Sequence, residues 1–167
     1  SFSVYNNASH FSRLIAENAD VVLIISGTKQ DISIYNQLER FFSDRIVYLG
    51  ERNDVLDLLS EADAMCLPSK WEGLPIVLLE ALSVGCIPIC TPVGGIPEVV
   101  ADGENGLLAE NVRLDGYIET LYRFISMSDV EISQMKANAL HSFDKFSIEG
   151  TSREYCDYYH HILSKQS

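Results

Sequence analysis

Two glutamates, Glu72 and Glu80, stand in the stretch WEGLPIVLLEAL with seven residues between them. The first precedes a glycine turn, and the second interrupts a run that is otherwise wholly apolar. A carboxylate near a helix start can accept hydrogen bonds from vicinal hydroxyls such as ribose or hexose presents. The free N–H groups and positive dipole end of a helix make a seat for phosphate. Two carboxylates flanking such a seat suit a nucleotide sugar, with phosphate in the middle and a sugar at either end. Taken singly, Glu72 reads as a loop charge and Glu80 as a solvent-facing or ion-paired side chain. Taken together, with a glycine turn and a strand–loop–helix context, they favour binding.

The elements that must position them follow from periodicity. Apolar or β-branched runs at Val21–Ser26, Arg45–Leu49, Ala64–Leu67 and Cys86–Cys90 read as strands, with a weaker one at Gly106–Ala109. Between them Ile34, Leu38 and Phe41 or Phe42 keep helical spacing, as do Val55, Leu58 and Leu59, then Ile76, Leu79 and Leu82. This alternation predicts an α/β fold with a parallel sheet covered by helices on both faces. After Ala109 the pattern is helical only. Ile118, Leu121, Tyr122 and Ile125 mark one helix, and Ile132, Met135 and Ala139 a second. Ser147 is expected to cap a last helix carrying Ile148, Tyr155, Tyr159 and Ile162. Asp102–Gly106 reads as a turn cluster. Pro68–Ser69 ends the third strand, so Lys70–Leu74 forms a loop at its carboxyl end, and Pro75 suits the first turn of the next helix. Open α/β sheets bind ligands at this edge.

Composition narrows the partners. A chain of 167 residues, 47% of them hydrophobic, makes one domain with a proper core. Its net charge of −12 repels nucleic-acid phosphates and anionic lipid headgroups, so an anionic ligand must be held by local amides and a few chosen cations. Cys66, Cys86, Cys90 and Cys156 show no metal spacing, and there is no Asp-x-Asp pair. No metal and no cofactor are expected. With neither a signal peptide nor a stretch long enough to cross a bilayer, the expectation is a cytoplasmic chain without its own membrane anchor.

The same residues carry a resemblance. The stretch is similar to the E-x₇-E motif of the retaining glycosyltransferases of family four, which have the GT-B fold. RIVYLGERNDVLDLLSEADAMCLPSKWEGLPIVLLEALSVGCIPICTPVGGIPEVVADGENGLLA follows the family order throughout. The match is close over about residues 20 to 110 and loose in the trailing helices. The resemblance implies a Rossmann-like domain, one half of a GT-B fold, that binds a UDP- or GDP-sugar donor. It implies transfer to a glycan or lipid-linked acceptor hydroxyl with retention and without an obligatory metal, in polysaccharide or lipopolysaccharide synthesis.

Residue by residue, it implies that Glu72 contacts the donor sugar at the reaction centre and that Glu80 holds the ribose hydroxyls. Gly73, Leu74, Pro75 and Ile76 match the loop and helix start whose amides meet sugar and diphosphate oxygens. Pro75 departs from the commoner Gly-Phe-Gly and brings no N–H. Arg52 matches a position that can lie against the base, with a solvated surface arginine as its equal alternative. Gly94 and Gly95 match a turn near the donor, which a plain turn before the next helix explains as well. Glu98 reads as a favourable charge in a helix first turn. The family's Gly-Arg strand and following lysine, and its amino-terminal acceptor domain, would lie before Ser1, so the chain alone is expected to be inactive. A sugar-nucleotide epimerase of the same architecture and a non-catalytic nucleotide-binding domain remain alternatives.

Overall fold

The computed structural model describes residues 12–27, 35, 36, 38–147, 152, 155 and 156. Residues 12–17 are helical (α1), followed by strands β1 (Leu23–Ser26) and β2 (Ile46–Gly50). Then come helix α2 (Val55–Glu61), β3 (Ala64–Leu67), α3 (Ile76–Ser83) and β4 (Ile87–Cys90). A short α4 (Ile96–Val99), β5 (Leu107–Leu108), α5 (Leu114–Ile125) and α6 (Asp129–Ser142) complete the order. The fold is α/β, and every pairing between these strands is parallel.

Among the described residues the strands form two sheets, β1-β2 and β3-β4-β5. One apolar cluster bridges them, with Ile46 of β2 packed among Ile87 and Ile89 of β4, Leu107, Tyr117 and Leu121. On the other face Met65, Cys90, Leu78, Ala81 and Leu82 join Ile96, Val99 and Ala139. The alternation of two along β4 sends Ile87 and Ile89 to one cluster and Cys90 to the other, as a strand covered on both faces requires. Full burial of Leu78 and Leu82 contributes roughly 1.5–3 kcal/mol each. The expectation of cover on both faces holds for β4 but not for β1, where Ile24 remains 52% exposed while Leu23 and Ile25 face the core.

Pro88 lies in the central strand, where a missing donor is normally costly. The amide of Ile87 bonds to Asp63 on the β3 side, so the Pro88 nitrogen faces β5. There β5 begins only at Leu107, opposite Ile89, and Gly106 lies against the proline ring. A Cβ at Gly106 would sit 2.7 Å from that ring, so the proline is accommodated by a glycine and a strand of two residues. That shortens the strand expected over Gly106–Ala109.

The DGENG turn is built by its own side chains. Buried Asn105 accepts from the Ala101 amide at 2.7 Å and donates to the Val99 carbonyl at 3.0 Å. Asp102 accepts from the Leu108 amide at 2.8 Å and pairs with Arg123 of α5. In α5 the buried face is Tyr117, Thr120 and Leu121, and Tyr122, expected inside, is 39% exposed and bonds to Glu17 of α1. Met135 and Ala139 of α6 are buried as expected. Most of the last expected helix, including Ile148, Tyr159 and Ile162, lies outside the described residues, as does Ile34; Tyr155 and Cys156 are helical and exposed.

Candidate functional site

The loop after β3 and the start of α3 form the candidate site. Helix α3 is apolar at every position except Glu80 and Ser83, and its inner face of Leu78, Ala81 and Leu82 anchors it in the core. Pro75 is the residue immediately before α3, with φ −68° and ψ 130°, rather than part of its first turn. It offers no side-chain cap, and its carbonyl accepts from the Leu78 amide at 3.1 Å. Helix geometry leaves the amides of Ile76 and Val77 without an intrahelical acceptor. Ile76 is 75% exposed, so this helix end is open to a ligand. Pro75 itself adds no donor there.

Glu80 is the fifth residue of α3, about 6 Å along the axis from Ile76 at the usual rise per residue. It is half-buried, and among the described residues its carboxylate has no hydrogen-bond or ion-pair partner. A half-buried charge in an apolar helix is costly unless something pairs with it.

Glu72 is also half-buried, but it is held. Ser69 Oγ donates to Glu72 Oε1 at 2.6 Å, and among the described residues Oε2 is left open. Ser69 is fixed in turn, because the hydroxyl of fully buried Thr91, just past β4, donates to the Ser69 carbonyl. The turn at Gly94 and Gly95 lies directly on this loop, with the Gly95 amide donating to the Gly73 carbonyl at 2.7 Å. Gly94 has φ +56°, and the Glu72 carbonyl approaches so closely that only a residue without Cβ fits. The plain-turn reading of these glycines therefore gives way to a contact between two loops. Gly73 and Leu74 supply backbone on the exposed side, and Trp71, 87% exposed, stands beside Glu72.

Arg52 lies in the loop after β2, its guanidinium turned back on the Asp54 carboxylate in a two-point ion pair. That hydrogen bond raises the Arg52 pKa and holds Asp54 below its ordinary range. Among the described residues the structure does not join Arg52 to Glu72 or Glu80 by any bond. Glu98 lies in the first turn of α4 and lines a separate cleft of about 430 Å³ with Glu104, Asn138, His141 and Lys145. Among the described residues no cluster of three or more His, Cys, Asp or Glu side chains could hold a metal ion. No described helix is long and apolar enough to cross a membrane.

Two partners of the site escaped the sequence reading, Ser69 and Thr91. The hydroxyl three residues before Glu72 was a visible signal, whereas the contact from Thr91 depends on how β4 aligns with β3.

The profile of the family described as "Glycosyl transferases group 1" matches residues 5–141. An N-acetyl-alpha-D-glucosaminyl L-malate synthase of Bacillus anthracis is 28% identical over 155 residues, 92% of this chain and 40% of that protein. A UDP-Gal:alpha-D-GlcNAc-diphosphoundecaprenol alpha-1,3-galactosyltransferase of Escherichia coli is 33% identical over 118 residues, 67% of this chain and 30% of that protein. The chain thus spans less than half the length of either relative. Its fold superimposes with a TM-score of 0.75 on the C-terminal domain of a glycosyl transferase group 1 family protein from Francisella tularensis, at 22% identity over 87% of this chain and 80% of that one. The two loops that meet at Glu72 and Gly94, and the helix that carries Glu80, all fall within the matched span, and the chain belongs to the group 1 glycosyl transferases.

Proposed function

We propose that this chain is the donor-binding half of a glycosyltransferase that moves a sugar from a nucleoside-diphosphate sugar to an acceptor hydroxyl with retention of configuration. The observation that carries this reading is the unpartnered, half-buried carboxylate of Glu80, set one turn behind the open amides of Ile76 and Val77. In this arrangement Glu80 accepts the ribose hydroxyls, and the helix-start amides receive the diphosphate. The backbone of Gly73 and Leu74 meets the sugar, and Arg52 lies against the base after leaving Asp54. Glu72, on the far side of the helix start, faces the donor sugar.

The chemistry follows from charge. Breaking the bond between the anomeric carbon and the diphosphate builds negative charge on the leaving group and positive charge on the sugar. Amides at the start of α3 stabilise the first, as an oxyanion hole does. The open oxygen of Glu72 lies where the second develops. The leaving phosphate takes the proton of the acceptor hydroxyl on the same face, which retains the configuration.

Of the UDP- and GDP-sugar donors, the UDP-Gal named for the Escherichia coli relative supports the first. The acceptor, a glycan or lipid-linked sugar in polysaccharide or lipopolysaccharide synthesis, is bound by a second, amino-terminal domain for which the relatives' greater length leaves room. The reaction is placed in the cytoplasm, peripheral to the inner membrane through that domain. The test is a thermal-shift panel of UDP, GDP and their sugars on the full-length protein, followed by a transfer assay with the best donor. A ligand that binds the native state raises the melting temperature. No shift with any nucleotide would remove the donor site, and free epimerised sugar without transfer would assign an epimerase.

A further inference from the structure

The buried hydroxyl of Thr91 is not needed to fill the core, since a valine would fill the same space. It is instead aimed across two strand ends, at the carbonyl of Ser69, with the Leu67 carbonyl farther away at 3.4 Å. A hydroxyl has one proton, and the nearer acceptor takes it. Ser69 is thereby anchored through both of its backbone polar groups, its amide donating to the Leu67 carbonyl at 3.0 Å and its own carbonyl accepting from Thr91. Its side chain has a single use among the described residues, the 2.6 Å bond to Glu72 Oε1. The result is a chain of contacts from the core to the site: Thr91 sets Ser69, and Ser69 sets one oxygen of Glu72.

We propose that Ser69 and Thr91 are positioning residues for transfer, a two-hydroxyl relay that locks the Glu72 carboxylate with Oε2 presented to the donor sugar. The inference rests on the proposed role of Glu72 and adds what holds it. A carboxylate on a loop has free side-chain torsions, and an error of about 1 Å at a reacting centre costs roughly a hundredfold in rate. One hydrogen bond to one oxygen removes that freedom and leaves the other oxygen for substrate.

The test is made on the full-length enzyme, with turnover, the dissociation constant for the nucleoside diphosphate and the melting temperature read for each variant. Glu72→Ala is expected to lose turnover. Ser69→Ala is expected to lower kcat roughly 10- to 100-fold with nucleoside diphosphate affinity unchanged. Ser69→Thr restores the hydroxyl and most of the rate. Thr91→Val lowers kcat in the same direction, and Thr91→Ser recovers it. Adding Ser69→Ala to Glu72→Ala produces no further loss, because the serine then has nothing to position. Wild-type kcat in Ser69→Ala, with Glu72→Ala inactive, overturns the relay while leaving the role of Glu72 intact. So does a Ser69→Ala loss of equal size in both backgrounds. Normal turnover in Glu72→Ala overturns the role of Glu72 itself, and the relay with it.

Discussion

The carbonyl of Glu72 lies so close to Gly94 that a Cβ there would sit 2.1 Å from it, and 2.6 Å from the carbonyl of Gly73. No side chain can enter that gap without pushing the two loops apart. At φ +56° the backbone of Gly94 also disfavours any L-residue. Gly94→Ala is therefore expected to destabilise by roughly 2 kcal/mol or more and to disturb the donor loop as well. Gly95→Ala meets the Gly73 carbonyl at 3.3 Å without a positive φ, and its cost should stay below roughly 1 kcal/mol. Thermal melts of the two variants decide the matter. Equal costs would mean that the loops do not meet as described.

Glu80 has the opposite character, because nothing in the described fold leans on its carboxylate. Glu80→Gln should not lower the melting temperature in the absence of ligand, since it removes an unpartnered charge. In the full-length enzyme it should weaken nucleoside diphosphate binding by roughly 1–3 kcal/mol, the scale of a charge-assisted hydrogen bond. Titration calorimetry measures both wild type and variant. Unchanged affinity in a folded protein would take Glu80 off the ribose.

Three thiols report on the core. Burial pushes Cys66 up to about 11 and Cys86 up to about 12, and raises Cys90 further. Cys66 is half-buried as a residue, but its thiol lies against the hydroxyl of Tyr117, itself raised well above the ordinary phenol range by burial. Thiolates are the reactive species, so at neutral pH an alkylating reagent should label exposed Cys156 and spare the other three until the protein unfolds. Peptide mass spectrometry reads each site. Because these pKa values are raised in the folded state, the unfolded chain loses its protons first. The contribution of these thiols to stability should be flat below about pH 9 and fall as the pH rises from there toward 12. A Cys86→Ala variant should show a shallower alkaline fall.

Much of this architecture was legible because its signals are local. The strand runs at Ala64–Leu67 and Cys86–Cys90 and the helical spacing of Ile76 and Leu82 read through to β3, β4 and α3. Glu72 before a glycine and Glu80 inside an apolar helix could be placed for the same reason. What remained hidden depends on residues distant in sequence. The shortness of β5 follows from Pro88 of the neighbouring strand, and the exposure of Tyr122 from its bond to Glu17 across 105 positions. Thr91, one residue past the strand expected at Cys86–Cys90, carries no signal until its carbonyl partner at Ser69, 22 positions earlier, is brought beside it. The local exception is Arg52, which could be placed in its loop although its pairing with Asp54 two residues on was not foreseen.

Helix α6 begins with a reciprocal cap. The Ser128 amide donates to Glu131 Oε2 at 2.8 Å, and the Glu131 amide returns to Ser128 Oγ at 3.4 Å. Ser128→Ala should cost about 1 kcal/mol, the usual value of such a cap. The bonds from Ser128 lower the Glu131 pKa below the ordinary carboxylate range. Its support is thus present at neutral pH and lost as the pH falls through that lowered value. The melting-temperature gap between wild type and Ser128→Ala should therefore narrow on acidification. A gap that grows toward acid would contradict the carboxylate's part in the cap.

Glu72 carries the sharpest expectation. It precedes α3, whereas Glu80 lies a turn inside it, and in the proposed arrangement the donor puts its nucleotide on Glu80 and its sugar on Glu72. Positive charge develops on the sugar only as the bond to the diphosphate breaks. An interaction that strengthens in the transition state raises turnover with little effect on ground-state binding. In the full-length enzyme Glu72→Ala should therefore reduce kcat far more than it weakens the nucleoside diphosphate. The loop should survive, because Gly94 and Gly95 hold it through the backbone of Glu72 and Gly73 and not through the carboxylate. Near-normal turnover would remove Glu72 from the chemistry. Turnover and nucleotide affinity falling together would show that the carboxylate, through Ser69, is needed to keep the loop folded. The expected result is the split.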